Sequence, residues 1–146
     1  MTDLPALDRF VRRFSAADRD TRLEALLDLS RKLPPLPDRY TDETTREAHR
    51  VPECMTPVFL FVELDNGGVH LHADVPRESP TVRGFVSLLV TALDGAPAGA
   101  VATVPDDLLH ALKLEETLGM MRTHGLTAIV QRIKRMVAQA ALNGRS

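Results

Sequence analysis

Val58-Phe59-Leu60-Phe61-Val62-Glu63-Leu64-Asp65-Asn66-Gly67-Gly68-Val69-His70-Leu71-His72-Ala73-Asp74 is the stretch on which the fold turns. Its first limb is aliphatic, β-branched and aromatic, the composition that fits a pleated, half-buried surface. Its second limb alternates, with Val69, Leu71 and Ala73 on one face and His70 and His72 on the other. Between them lies Asn66-Gly67, the pair that accepts positive φ at both centres of a tight turn. The reading is a β-hairpin.

Working outward, residues near Glu47 to Val51 read as a third antiparallel strand, which puts Cys54 at the tip between that strand and the hairpin. Further back, Leu33-Pro34-Pro35-Leu36-Pro37 reads as a rigid extended connector, because successive prolines forbid helix. Before it the period is helical: Phe10, Val11 and Phe14 share a face, and Asp18 is placed to cap a second helix carrying Leu23, Leu26, Leu27 and Leu29. After Pro80 the helical period returns in Val82, Phe85, Val86, Leu89 and Leu93, and stops at Asp94-Gly95. Two short helical pieces are expected around Pro97 to Thr103 and Pro105 to Leu112. A last helix runs from about Thr123 to Leu142, with Leu126, Ile129, Val130, Ile133, Met136 and Val137 inward and Arg132, Lys134 and Arg135 outward. Helices, an antiparallel sheet, then helices make an α+β fold. The expected organisation is one domain over 1–146, with N-terminal helices in 5–33, a loop and sheet in 46–75, and C-terminal helices in 80–142.

With 146 residues the chain can bury a core without disulfide staples. The formal net charge of −2 gives no electrostatic reason for a nucleic-acid partner. No stretch approaches the roughly 20 apolar residues of a membrane span, and the first residues lack the apolar run of an export signal. One cysteine and no export signal point to the reducing cytoplasm.

That cysteine, Cys54, sits in His49-Arg50-Val51-Pro52-Glu53-Cys54-Met55-Thr56-Pro57. It has two readings: a small buried hydrophobe, or a reactive thiol on a prolyl turn. A reactive thiol needs thiolate, and Arg50, His49, Arg122 or His124 are the cations available to favour it, with Glu53 opposing. A lone sulfur makes no internal disulfide and no multi-thiolate metal site, so its chemistry needs a second sulfur or electrophile from another molecule. No recognisable nucleophile motif of a thiol hydrolase surrounds it. His70 and His72, extended by Asp74, form a possible metal-ligand face, but a solvated strand face explains the same pattern and is the preferred reading. No glycine-rich phosphate loop follows a strand. No metal and no cofactor is expected.

Several motifs in order resemble the SufE family of sulfur-acceptor proteins: the prolyl segment 33–37, Val51-x-x-Cys54-x-x-x-Val58-Phe59-Leu60, the hairpin, Val82-Arg83-Gly84, and Arg122-x-x-Gly125-Leu126. The resemblance runs from about Arg31 to Val137. It implies a SufE/NifU-like two-layer fold, with a three-stranded antiparallel sheet packed against helices from both termini. It also implies a role in iron–sulfur cluster assembly. A SufS-type, pyridoxal-phosphate-dependent cysteine desulfurase would hold sulfur as a persulfide, Cys54 would accept it, and a downstream scaffold complex would receive it. In this picture the chain is a carrier and activator rather than an enzyme, with Arg122 near the acceptor loop and Glu53, Asp74, Glu78, Arg83 and His124 as supporting residues. The alternative is a non-catalytic adaptor that binds a desulfurase through the same surface. The chain departs from the family at Glu53, where glycine is usual and where positive φ would cost a glutamate about 1–2 kcal/mol. It departs also at Phe59 (for tryptophan), at Gly119-Met120-Met121 (for Ser-Pro-Ser) and at His124 (for Asn or Gln). The stretch around Arg77 to Ser79 is longer than the family's acidic element.

Overall fold

The computed structural model describes residues 4–144. Helices α1 (Pro5–Ala16) and α2 (Arg19–Arg31) open the chain, and a 3₁₀ turn (Asp38–Tyr40) and a short helix α3 (Glu43–Ala48) lead to strands β1 (Phe59–Asp65) and β2 (Gly68–Asp74). Helices α4 (Pro80–Leu93), α5 (Ala98–Val101), α6 (Leu108–Ala111), α7 (Leu114–Leu118) and α8 (Met120–Asn143) follow. The fold is α+β, with helices from both ends of the chain packed around a small antiparallel sheet.

The hairpin forms where the sequence places it. Asn66 and Gly67 both take positive φ (52° and 81°), so a two-residue turn of type I′ joins β1 to β2 and pairs Asp65 with Gly68. Val69, Leu71 and Ala73 are buried, while His70 and His72 lie on the other, half-exposed face. The third strand does not form. Residues 43–48 are helical instead, because the Asp42 carboxylate accepts the Thr45 N–H at 3.1 Å and caps α3. What remains of the strand is one bridge, Arg50 opposite Phe59, flanked by Val51 N–H to Val58 O at 2.8 Å and Leu60 N–H to His49 O at 3.1 Å. Pro52 ends it. The far edge is closed in the same way by Gly68 opposite Pro97.

Helix α4 is the centre of the molecule. Val82, Phe85, Val86, Leu88, Leu89, Ala92 and Leu93 are all buried, and α1, α2 and β2 pack against it. The closest approach is at Gly84, where a Cβ would stand 2.1 Å from the Leu26 carbonyl oxygen of α2. Only glycine allows that crossing. Asp18 caps α2 by accepting the Thr21 N–H at 2.8 Å, and that bond holds its carboxyl below the usual carboxylate range. On the opposite side, α8 packs on β1 and on the short helices α5 to α7, and its Leu126, Ile129, Val130, Ile133 and Val137 are all buried. The helix begins three residues earlier than its apolar period suggests, because Gly119 at φ 86° separates it sharply from α7. Among its outward cations, Lys134 is used internally, donating to Val104 O at 2.7 Å. Among the described residues no helix is long and apolar enough to cross a membrane.

The polar face of the hairpin is tied down by separate partners. His70 meets Asp94 at 2.8 Å, His72 meets Glu63 at 3.0 Å, and Asp74 pairs with Arg46 at 2.7 Å. The face that offered a possible ligand set is therefore divided among three neighbours. Glu63 also accepts from the Tyr40 hydroxyl and from Arg39 at 2.6–2.8 Å, while the Tyr40 ring stacks on Phe61 at 4.2 Å. These donors hold its carboxyl far down, at about 2 against an ordinary 4.5, the Tyr40 hydrogen bond contributing most.

Gly84→Ala should lower unfolding stability by about 2–3 kcal/mol, because the added methyl meets backbone that cannot yield. Gly99→Ala, where a Cβ meets nothing within 4 Å, should change it little. Chemical denaturation of the two variants distinguishes them. Glu63→Gln should cost on the order of 1–2 kcal/mol near neutral pH, kept low because the site is partly exposed. Since the folded pKa lies below the unfolded one, the wild-type advantage is complete above about 4.5 and disappears as pH falls towards 2. An undiminished difference in the acid range would contradict the assignment.

Candidate functional site

The Val51–Val58 hydrogen bond is the neck of a tight loop, and Cys54 N–H donates to Val51 O at 3.3 Å within it. Pro52 and Pro57 stiffen its two sides. The loop turns Cys54 inward, leaving it 6% exposed. Behind the sulfur lies α8, which presents Gly125: a Cβ there would stand 3.6 Å from Sγ and 3.5 Å from the Cys54 Cα. The small residue leaves room for the thiol. In front, a cleft of about 360 Å³ opens between the loop, the first turn of α4 and the first turns of α8. Cys54, Thr56, Ser79, Thr81, Met121 and Arg122 are among its walls.

Electrostatics in this cleft oppose one another. Burial pushes the Cys54 thiol up from its ordinary value, and this is the largest effect. A hydrogen bond from the Thr56 backbone N–H and the charge of Arg50 pull it back in part. Arg122 reaches over the cleft and donates to Thr81 Oγ1 at 2.9 Å, bridging α8 to α4. Thr56 Oγ1 donates to Ser79 Oγ at 3.3 Å, which fastens the loop to the segment before α4. Ser79, at the N-cap of α4, makes no side-chain cap bond, so the positive end of that helix faces the cleft uncapped.

Of the residues singled out from sequence, Arg122 and Glu78 share the cleft with Cys54. Glu53 stands beside it with an exposed side chain, and its φ is not positive, so the strain expected of a glutamate there is absent. The loop has taken a backbone that any residue adopts. His124 is exposed on α8 and is not among the cleft residues. His49 is turned away, with Nδ1 on Thr45 O at 2.9 Å and its ring on Phe61 at 4.5 Å. Asp74 and Arg83 belong to a different cleft. Arg83 holds backbone there, donating to Ser30 O at 2.8 Å and Val75 O at 2.6 Å. Among the described residues no histidine lines the thiol cleft. Neither the Thr56 N–H beside the sulfur nor the presence of Ser79 and Thr81 in the same cleft is visible in the sequence, because only the folded loop brings these segments together.

Around the cleft the surface is unusually apolar. Met55, Met120 and Met121 are 93%, 82% and 87% exposed, and with Leu142 they are the large exposed hydrophobic side chains of the described residues. Two belong to cleft walls and the third is their chain neighbour. Flexible thioethers at an exposed rim suit a surface that another protein covers.

A buried lone thiol in a methionine-rimmed cleft, on a small α+β scaffold, is the class of site that the fold defines. The family model of SufE, the Fe-S metabolism associated domain, matches residues 8–137. The chain belongs to the SufE family. It is 37% identical over 139 residues to an uncharacterised SufE-like protein of Mycobacterium tuberculosis, covering 94% of this chain and 95% of that one. It is 25% identical over 142 residues to the SufE-like protein 1, chloroplastic/mitochondrial, of Arabidopsis thaliana, covering 96% of this chain and 37% of that longer one. In structure it is similar to a hypothetical protein from Thermus thermophilus solved in solution, with a TM-score of 0.83, 33% identity, and 97% and 99% of the two chains covered.

The isolated chain should react slowly with iodoacetamide at Cys54, with an apparent pKa above that of free cysteine. Arg50→Gln should raise it further, since it removes a cation that favours the thiolate. An apparent pKa below that of free cysteine, from alkylation rate against pH, would overturn this account of the cleft.

Proposed function

We propose that this chain is a sulfur acceptor in iron–sulfur metabolism, with Cys54 as the accepting group and the whole of 1–146 acting as one domain in the reducing cytoplasm. The donor is the persulfide of a partner cysteine desulfurase of the SufS type. The observation that carries the reading is the solitary thiol within a cleft whose rim is exposed methionine. The Cys54 thiolate attacks the terminal sulfur of the donor Cys–S–SH. The donor S–S bond breaks, the donor leaves as thiolate and takes up a proton, and Cys54 becomes the persulfide; nothing is oxidised overall. A single cysteine suffices, and a neighbouring second one would resolve the persulfide into a disulfide.

Burial fits this task because the thiol must be quiet until a partner arrives. Docking on the rim excludes water and brings the donor sulfur in. Arg122 and the uncapped end of α4 then lie beside the developing anion. Glu78 and Glu53 stand at the edge as partner-facing acids, and His124 is exposed on the same end of α8, outside the cleft. The accepted sulfur passes onward to a scaffold for cluster assembly. The second reading, an adaptor that binds the desulfurase without carrying sulfur, is favoured by one observation only, the upward shift of the thiol.

Incubation with a SufS-type desulfurase, pyridoxal phosphate and cysteine should add about 32 Da, one sulfur atom, to Cys54. Cys54→Ser should abolish the addition without changing the thermal melt. Met120→Ser, a neutral change at the exposed rim beside the cleft wall, should slow transfer severalfold while leaving alkylation of Cys54 near its wild-type rate. Binding and stimulation that survive intact in Cys54→Ala, with no sulfur on the wild type, would decide for the adaptor.

A further inference from the structure

A second cleft lies away from the thiol. It holds about 630 Å³ and has Arg46, Arg77 and Arg83 around a single carboxylate, Asp74, with Leu33 and Leu36 in its apolar wall. A hollow of about 260 Å³ adjoins it, sharing Leu33, Arg77 and Arg83 and adding Arg31. The chain as a whole is acidic, at −2, so this concentration of guanidinium groups is local to the cleft. Its size falls in the range of small-ligand sites, roughly 300–1,000 Å³.

Two of the guanidinium groups are held in place before any ligand arrives. Arg83 spends Nε and Nη1 on the Ser30 and Val75 carbonyls, which fixes the plane of its head. Arg46 lies over the Phe59 ring at 4.4 Å and gives Nη2 to Asp74 at 2.7 Å. Arg77 is exposed and makes no ion pair or hydrogen bond among the described residues. Asp74 neutralises one of the three cations and leaves the other two uncompensated. Prefixed planar donors beside an apolar wall recognise charged oxygens carried on an apolar body.

The geometry points to a binding site for a small organic dianion, a phosphomonoester or a dicarboxylate, seated between Arg77, Arg83 and Arg46 with its body against Leu33 and Leu36. The segment 76–79 is common to both clefts: Arg77 faces the anion, while Glu78 and Ser79 wall the thiol. The proposal stands on the arginine cleft alone and does not require sulfur transfer at Cys54.

The test titrates the full chain at low ionic strength with phenyl phosphate, phthalate and inorganic phosphate, following backbone amides by NMR. Either organic probe should give saturable shifts centred on Arg46, Val75, Arg77 and Arg83. The tighter of the two identifies the head group as phosphate or dicarboxylate. Arg77→Ala should weaken binding about tenfold. Asp74→Asn removes the opposing charge and should tighten it severalfold; thermal melts show whether either variant has lost its fold. Shifts that do not saturate, shifts equally large at Arg135 on α8, an Asp74→Asn affinity no higher than wild type, or inorganic phosphate binding as tightly as both organic probes would each overturn the proposal.

Discussion

The Leu26 carbonyl of α2 rests against the backbone of α4 at Gly84, and the placing of the other elements depends on that contact. A crossing this close brings the flanking side chains of both helices into one core, with Leu26, Phe85, Leu88 and Leu89 all buried. Helix α4 then fixes β2 on its far side and, through the hairpin, gives α8 a surface to cover. The first turn of α4 is where both clefts meet. Thr81 and Val82 face the thiol, and Arg83 faces the arginine cleft. A change of angle between α2 and α4 would therefore move both clefts together.

Burial sets the chemistry of the thiol. Cys54, only 6% exposed, is shielded from water, and desolvation disfavours its anion more than Arg50 and the Thr56 N–H favour it. Such a thiol is a poor nucleophile towards small electrophiles in solution. In the acceptor role proposed for this chain, the balance would change once a partner covered the cleft. Removing the remaining water strengthens each fixed donor that already points inward, and those donors surround the place where negative charge would grow. The methionine rim adds apolar area at that moment. On that reading, restraint in the free state and competence in the docked state come from one arrangement.

The hairpin was legible because its turn is determined locally: Asn66-Gly67 accepts positive φ and the alternation on either side matches the pleat. The helices α1, α2, α4 and α8 were legible for a similar reason, since their apolar periods are long. The third strand was misread because a β-compatible stretch competed with a capped turn of helix, and Asp42 decides that contest from outside the stretch. Helix α7 was missed because its start depends on Lys113 in a left-handed conformation, which no pattern of apolar residues reveals. Cys54 itself stood out, and Arg122 and Gly125 were marked as a motif. The grouping of Asp74 and Arg83 with the thiol had no geometric basis, since neighbours in the chain fall on opposite sides of segment 76–79.

The departures of this chain from its family read differently once placed. Glu53 follows Pro52 in a turn that never enters the left-handed region, so the missing glycine costs the backbone nothing and sends one acid to the surface. Met120 and Met121, at positions where the resemblance sets Pro-Ser, cost little in the free fold because both side chains lie in solvent. Their exposure is unfavourable only until something covers them. Substitutions neutral to the isolated fold, gathered at the mouth of the one thiol, change what the mouth can hold. The exposed methionines make this rim apolar, so a partner would adhere to it more by contact area than by hydrogen bonds that salt and water contest. A partner that covers this rim should accordingly present an apolar collar, not a polar one.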